Sequence, residues 1–168
     1  MKTPILLMAV LLILLLSACD RPLFGPNLPR ETQEGANTFG CRVDGEVWLP
    51  NNPVFPYIST SSSFGDGTMF VDADDRKGET SISIHFYKKI FSDSTYSLFH
   101  NGADKWVYYY ANNTFYYPDS QQAGYLMITR LDTLELGIVS GTFSFDAVNE
   151  NDSTDVIHIT DGRFDLKF

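Results

Sequence analysis

The chain is poor in cysteine, histidine and basic residues, and each shortage narrows what it can be. Two cysteines in 168 residues cannot build the disulfide framework of a small secreted scaffold. The three histidines (His85, His100 and His158) fall on separate expected strands without the short spacing of a metal motif, and no metal or cofactor is assigned. Lys and Arg number 12 against 21 Asp and Glu, for a net charge of −9. That balance argues against nucleic acid, whose phosphates call for a basic surface, and against electrostatic adhesion to anionic lipid. Catalytic motifs are missing too. Gly137-Ile-Val-Ser-Gly141 sets its serine one position late for a nucleophile elbow. Asp72 to Glu79 is the densest acidic stretch, but a calcium loop counted from Asp72 would put Arg76 and Lys77 at its fifth and sixth positions. A charged turn is the reading there, and no catalytic residue is assigned.

What the front of the chain does have is a short positive start, Met1-Lys2-Thr3, and an unbroken apolar run from Pro4 to Leu16. Thirteen residues are too few to span a bilayer as a helix, which takes about 20, but they suit the core of a secretory signal. The run closes on Leu16-Ser17-Ala18-Cys19. This resembles the bacterial lipobox, in which the cysteine is acylated and the peptide is cut before it. The resemblance implies residues 1–18 as a lipoprotein signal peptide and Cys19 as the lipidation site. Two or more acyl chains give stable attachment where one gives only marginal binding. With Cys19 carrying lipid, Cys41 has no partner and is expected to be a buried, inert thiol. Residues 20–36, with three prolines, two glycines and no period, read as a flexible tether. The all-β domain is placed at residues 37–168.

From Asn37 onward no helical period appears, and strand signals recur. Asp44-Gly45 is a two-residue hairpin turn. Pairing outward from it sets Cys41 opposite Trp48 and gathers Phe39, Cys41, Val43 and Trp48 on a core face. Met69, Val71 and Ala73 alternate with Asp72 and Asp74. Ile82, Ile84 and Phe86 alternate with Ser81, Ser83, His85 and Tyr87. Leu134, Leu136 and Ile138 share one parity and Val139, Phe143 and Phe145 the other, so a β-bulge is expected near Gly137 or Gly141. Asp161-Gly162 reads as a final hairpin that pairs Ile159 with Phe164, Ile157 with Leu166, and His158 with Asp165. About nine to eleven antiparallel strands at this length fit either a β-sandwich or a flattened β-barrel.

The hairpin around Asn112-Asn113 is the most unusual local feature. Trp106, Tyr108, Tyr110, Phe115 and Tyr117 fall on one face, and Val107, Tyr109 and Tyr116 on the other. A half-buried hairpin needs aromatics on one face only. Taking the larger set as core leaves Tyr109 and Tyr116 on the second face, either as an exposed platform for ligand or partner binding or under a loop such as Pro50 to Gly67.

Three strings, GANTFGCRVDGEVW (35–48), SGTFSFDAVN (140–149) and ITDGRFDLKF (159–168), together with the leader, resemble a family of small Bacteroidota lipoproteins whose domain has no assigned function. The resemblance implies the all-β fold and a bacterial lipoprotein, and it brings no catalytic residues. Asp93-Ser94-Thr95, Asp132-Thr133-Leu134 and Asp152-Ser153-Thr154 resemble the O-glycosylation pattern of the same phylum. The expected role is a non-enzymatic binding module for a glycan, a peptide or an envelope partner. It would be held to the membrane through Cys19 in the bacterial cell envelope, with the outer membrane as first choice and the leaflet open. A structural accessory subunit and a hydrolase are the alternatives.

Overall fold

A computed structural model describes residues 27–50, 58–59, 68–75, 79–99, 103–119, 124–133 and 137–167. The signal segment and Cys19 lie outside these residues, as do His100, Leu134 and Leu136. The described chain is all-β. Its strands are β1 (Thr38–Val43), β2 (Glu46–Trp48), β3 (Ile58–Ser59), β4 (Met69–Asp74), β5 (Thr80–Phe86), β6 (Ser94–Leu98), β7 (Lys105–Ala111), β8 (Thr114–Pro118), β9 (Gly124–Asp132), β10 (Ile138–Asn149) and β11 (Asp152–Lys167). They form one antiparallel sheet in the order β2-β1-β11-β10-β8-β7-β5-β4-β3, with β9 also on β10 and β6 on β9. The sheet curls into a half-barrel.

The two longest strands are its spine. β10 pairs β9 from Ile138 to Ser144 and β8 from Ala147 to Asn149, so it passes from one neighbour to another along its length. The register with β9 slips between Ser140 and Gly141, where a bulge was expected. The extra residue is Thr129 of the partner strand. Across the concave side, the Trp48 indole N–H donates to Thr80 Oγ1 at 2.9 Å, and Thr80 donates on to Asp75 at 3.0 Å. This joins the β1–β2 hairpin to β5, which is not its neighbour in the sheet. The curl encloses Val71, Ile82, Ile84, Val107, Leu126, Ile128, Phe143, Phe145 and Ile159.

Asp44-Gly45 and Asn112-Asn113 are the expected hairpin turns, with all four residues at positive φ. Val43 faces Glu46, and Cys41 faces Trp48. Asp161-Gly162 is not a turn. β11 runs straight through it, and the same bulge is felt by both neighbours. Gly40 and Arg42 of β1 pair Arg163 and Thr160, while Phe143 and Phe145 of β10 pair Gly162 and Ile159. Asp161 supplies the positive φ of 51°, and Gly162 leaves room for the Phe143 ring, which an added Cβ would meet at 2.5 Å. A bulge and a hairpin ask the same chemistry of these two residues, namely tolerance of a left-handed backbone and a missing side chain. The pairings expected from a hairpin are therefore corrected. Ile159 opposes Phe145 and Val43, Phe164 opposes Gly141 and Phe39, and His158 bonds Asp146 at 2.7 Å instead of Asp165.

A second correction concerns the tether. Residues 32–37 are not free chain but lie on the C-terminal strand. The Asp165 carboxylate accepts from Thr32 Oγ1 (2.6 Å), from Ser140 Oγ (2.7 Å), and from the N–H groups of Gly35 (2.8 Å), Glu34 (3.0 Å) and Ala36 (3.1 Å). Lys167 N–H donates to Asn37, and Arg130 donates to the Gln33 carbonyl. Ser140 and Asp165 are buried on the side of the sheet away from the main core. Burial pushes the Asp165 carboxyl up, and the bonds from Thr32, Ser140, Ala36 and Glu34 overcome that and bring it down to about 2.

Candidate functional site

The phase of the aromatic hairpin decides which surface is available for binding. Tyr109 faces Tyr116 and Tyr110 faces Phe115, the register expected from the Asn112-Asn113 turn. The faces are the reverse of those expected. Tyr109 and Tyr116 are 5% and 6% exposed and belong to the core with Val107, whereas Trp106 is 40% exposed and Tyr108, Tyr110, Phe115 and Tyr117 are half-buried. Tyr109 and Tyr116 are therefore not a solvent-facing platform. Burial pushes the Tyr109 hydroxyl up to about 12, and the Tyr116 hydroxyl donates to Asp155 at 2.9 Å.

The neighbouring strand imposes this phase. β5 alternates without ambiguity, and directly paired residues share a face of the sheet. Ile84 and Ile82 stand opposite Val107 and Tyr109, while His85, Ser83 and Ser81 stand opposite Trp106, Tyr108 and Tyr110. Turning the larger aromatic set inward would have carried the Ser81, Ser83, His85 row into the core. The unambiguous alternation of β5, carried across to β7, is the signal that identifies the outward set.

On the outward side, pairing through β4, β5, β7 and β8 makes three cross-strand rows. They are Phe70–His85–Trp106, Asp72–Ser83–Tyr108 and Asp74–Ser81–Tyr110–Phe115. Acids stand on the β4 side, serines in the middle and aromatics on β7 and β8. The rings support one another. Tyr108 meets Phe115 edge-on at 5.2 Å, Phe115 and Tyr117 lie within 17° of parallel, and Phe70 packs edge-on against both His85 and Tyr87. Such mutual packing fixes ring positions before any ligand arrives.

The polar centre is a three-residue cluster. Asp72 Oδ1 accepts from Ser83 Oγ at 2.6 Å and lies 2.7 Å from His85 Nε2. Ser83 is 2% exposed, although it points outward. Serine and imidazole both meet the same carboxylate oxygen, so Ser83 donates to Asp72 and the geometry is not that of a nucleophile facing its base. Burial and the like charges of Asp72 and Asp75 push the Asp74 carboxyl above its ordinary value. Beyond Tyr110 an open depression of about 390 Å³ is lined by Glu79, Thr80, Tyr110, Asn112 and Asn113.

Of the other residues singled out by sequence, Cys41 is fully buried and unpaired, and burial pushes its thiol up to about 12. Asp75, between β4 and β5, accepts from the Glu79 N–H at 2.8 Å. In the three Asp-Ser/Thr strings, Thr133 and Ser153 are exposed and Ser94 is half-buried in β6. His85 and Asp72 come together; His158 stands apart from them with Asp146.

No curated protein and no solved structure gives a significant match to the chain. The profile of the domain of unknown function DUF6252 matches residues 43–165, from the end of β1 to the carboxylate that holds the N-terminal segment, and the chain belongs to that family.

Proposed function

We propose that the protein is a lipid-anchored binding module of a bacterial cell envelope, non-enzymatic, with the outward side of β4, β5, β7 and β8 as its ligand surface. One observation carries the reading: a mutually packed set of half-buried rings, with Trp106 exposed beside it, lies on the side of the sheet away from the core. Such rings offer flat apolar area with polar tips at low entropic cost. The anchor rests on the sequence Leu16-Ser17-Ala18-Cys19 and on the likeness to Bacteroidota lipoproteins.

Two experiments test the two halves. Cells fed a clickable fatty acid should label the wild-type protein and not Cys19→Ala, and persistent labelling of that variant would sink the anchor. For the face, Trp106→Ala/Tyr110→Ala should keep its unfolding free energy within about 1 kcal/mol of wild type, whereas Tyr109→Ala alone should lose about 3 kcal/mol or more. If the outward pair costs as much as the core tyrosine, those rings serve the fold and the surface is not a binding face.

A further inference from the structure

The outward face has a charge that selects among ligands. Among the described residues, the outward positions of β4, β5, β7 and β8 hold Asp72 and Asp74 and no lysine or arginine. Both contacts of Asp72 fall on Oδ1, which leaves Oδ2 without a donor among the described residues. Asp74 is exposed and crowded by the carboxylates of Asp72 and Asp75. Like charges gathered on one edge repel one another, and a cation placed there relieves the repulsion. One strand away the small side chains of Ser81 and Ser83 separate this acidic edge from the rings of Tyr108 and Tyr110. A ring face attracts a cation as a carboxylate does, so both walls of the strip favour the same sign of charge.

Spacing narrows the ligand further. Asp72 and Asp74 are alternate residues of one strand, as are Tyr108 and Tyr110, and such residues recur roughly every 6.8 Å. Alternate side chains of any extended polypeptide recur at the same distance. Building on the reading of this face as a binding surface, we infer that it takes an extended basic polypeptide segment. Lysine or arginine side chains at alternate positions lie between the Asp72–Asp74 edge and the Tyr108–Tyr110 wall. The stem of each basic side chain lies along apolar ring surface while its head meets a carboxylate. The depression past Tyr110, with Glu79 on its rim, receives the end of the segment.

The test is a titration of the full chain in neutral detergent, read by calorimetry, with three probes. These are an alternating Lys-Thr octapeptide, its Glu-Thr counterpart and a neutral glucose hexasaccharide. The Lys-Thr peptide should bind, and its affinity should fall as sodium chloride rises from about 50 to about 500 mM and the shortening Debye length screens the exposed charges. The Glu-Thr peptide should not bind. Asp74→Asn, at an exposed position, should weaken the Lys-Thr peptide about threefold, and Asp72→Asn/Asp74→Asn about tenfold. The doubly substituted chain must show the wild-type circular dichroism, and Asp74→Asn alone decides the matter if it does not. Binding of the hexasaccharide without the basic peptide overturns this inference and leaves the binding face standing. Equal binding of acidic and basic peptides also overturns it, and failure of all three probes overturns both.

Discussion

Asp165 shows how a single residue can serve a role that its neighbours in sequence do not suggest. On strand alternation alone it faces away from the core, where a carboxylate would normally be solvated. It is instead almost wholly buried and accepts five hydrogen bonds, three of them from consecutive backbone N–H groups. A carboxylate so held is stabilised in its charged form, and its folded value of about 2 lies below the 3.8 of an unperturbed aspartate. The unfolded chain binds this proton more tightly, so the stabilisation is present above the unfolded value of about 4 and is lost as pH falls through the folded value. The shift corresponds to roughly 2 kcal/mol at neutral pH. Urea unfolding of the wild type should therefore lose about that much between pH 5 and pH 2 from this residue, and Asp165→Asn should lose it already at pH 5 with a correspondingly flatter acid limb. An Asp165→Asn variant as stable as wild type at pH 5 would show that the N-terminal segment is held by its other contacts.

At the level of elements, the sequence was legible where a turn and an alternation agreed independently. Asp44-Gly45 and Asn112-Asn113 both fixed hairpin registers residue by residue, and β4 and β5 presented the faces their alternation implies. The Asp161-Gly162 pair misled because its apolar pattern fits two geometries. Folding the strand back pairs Ile159 with Phe164, and letting it run on gives both residues apolar partners in β1 and β10. Only long-range neighbours distinguish the two. The aromatic hairpin failed for a related reason: its own residues offer two apolar faces, and β5 chooses between them. The Asp165 site was out of reach because its donors are backbone groups more than a hundred residues away. The bulge itself makes a sharp prediction. Gly162→Ala drives a methyl into the Phe143 ring and should cost about 2 kcal/mol or more. Asp161→Gly, which keeps the positive φ at no steric cost, should be close to neutral. Thermal unfolding of the two variants distinguishes a bulge from an exposed turn, in which Gly162→Ala would not meet a core ring.

Taken over the described residues, the molecule is a curled sheet with its apolar core inside the curl and two unlike surfaces outside it. At one end the N-terminal segment lies over Ser140 and Asp165; at the other, the half-buried outward aromatics of β7 and β8 share a face with the acids of β4. On the proposed function, the outward aromatic face is where a partner binds. Backbone amide shift mapping of the labelled chain, titrated with the alternating Lys-Thr octapeptide, tests this most directly. The expected outcome is a contiguous set of perturbed amides on Phe70–Asp74, Ser81–His85, Trp106–Tyr110 and Phe115–Tyr117, with the Trp106 indole among the largest. Shifts gathered instead around Tyr125 and Met127, the exposed apolar pair on β9, would contradict it.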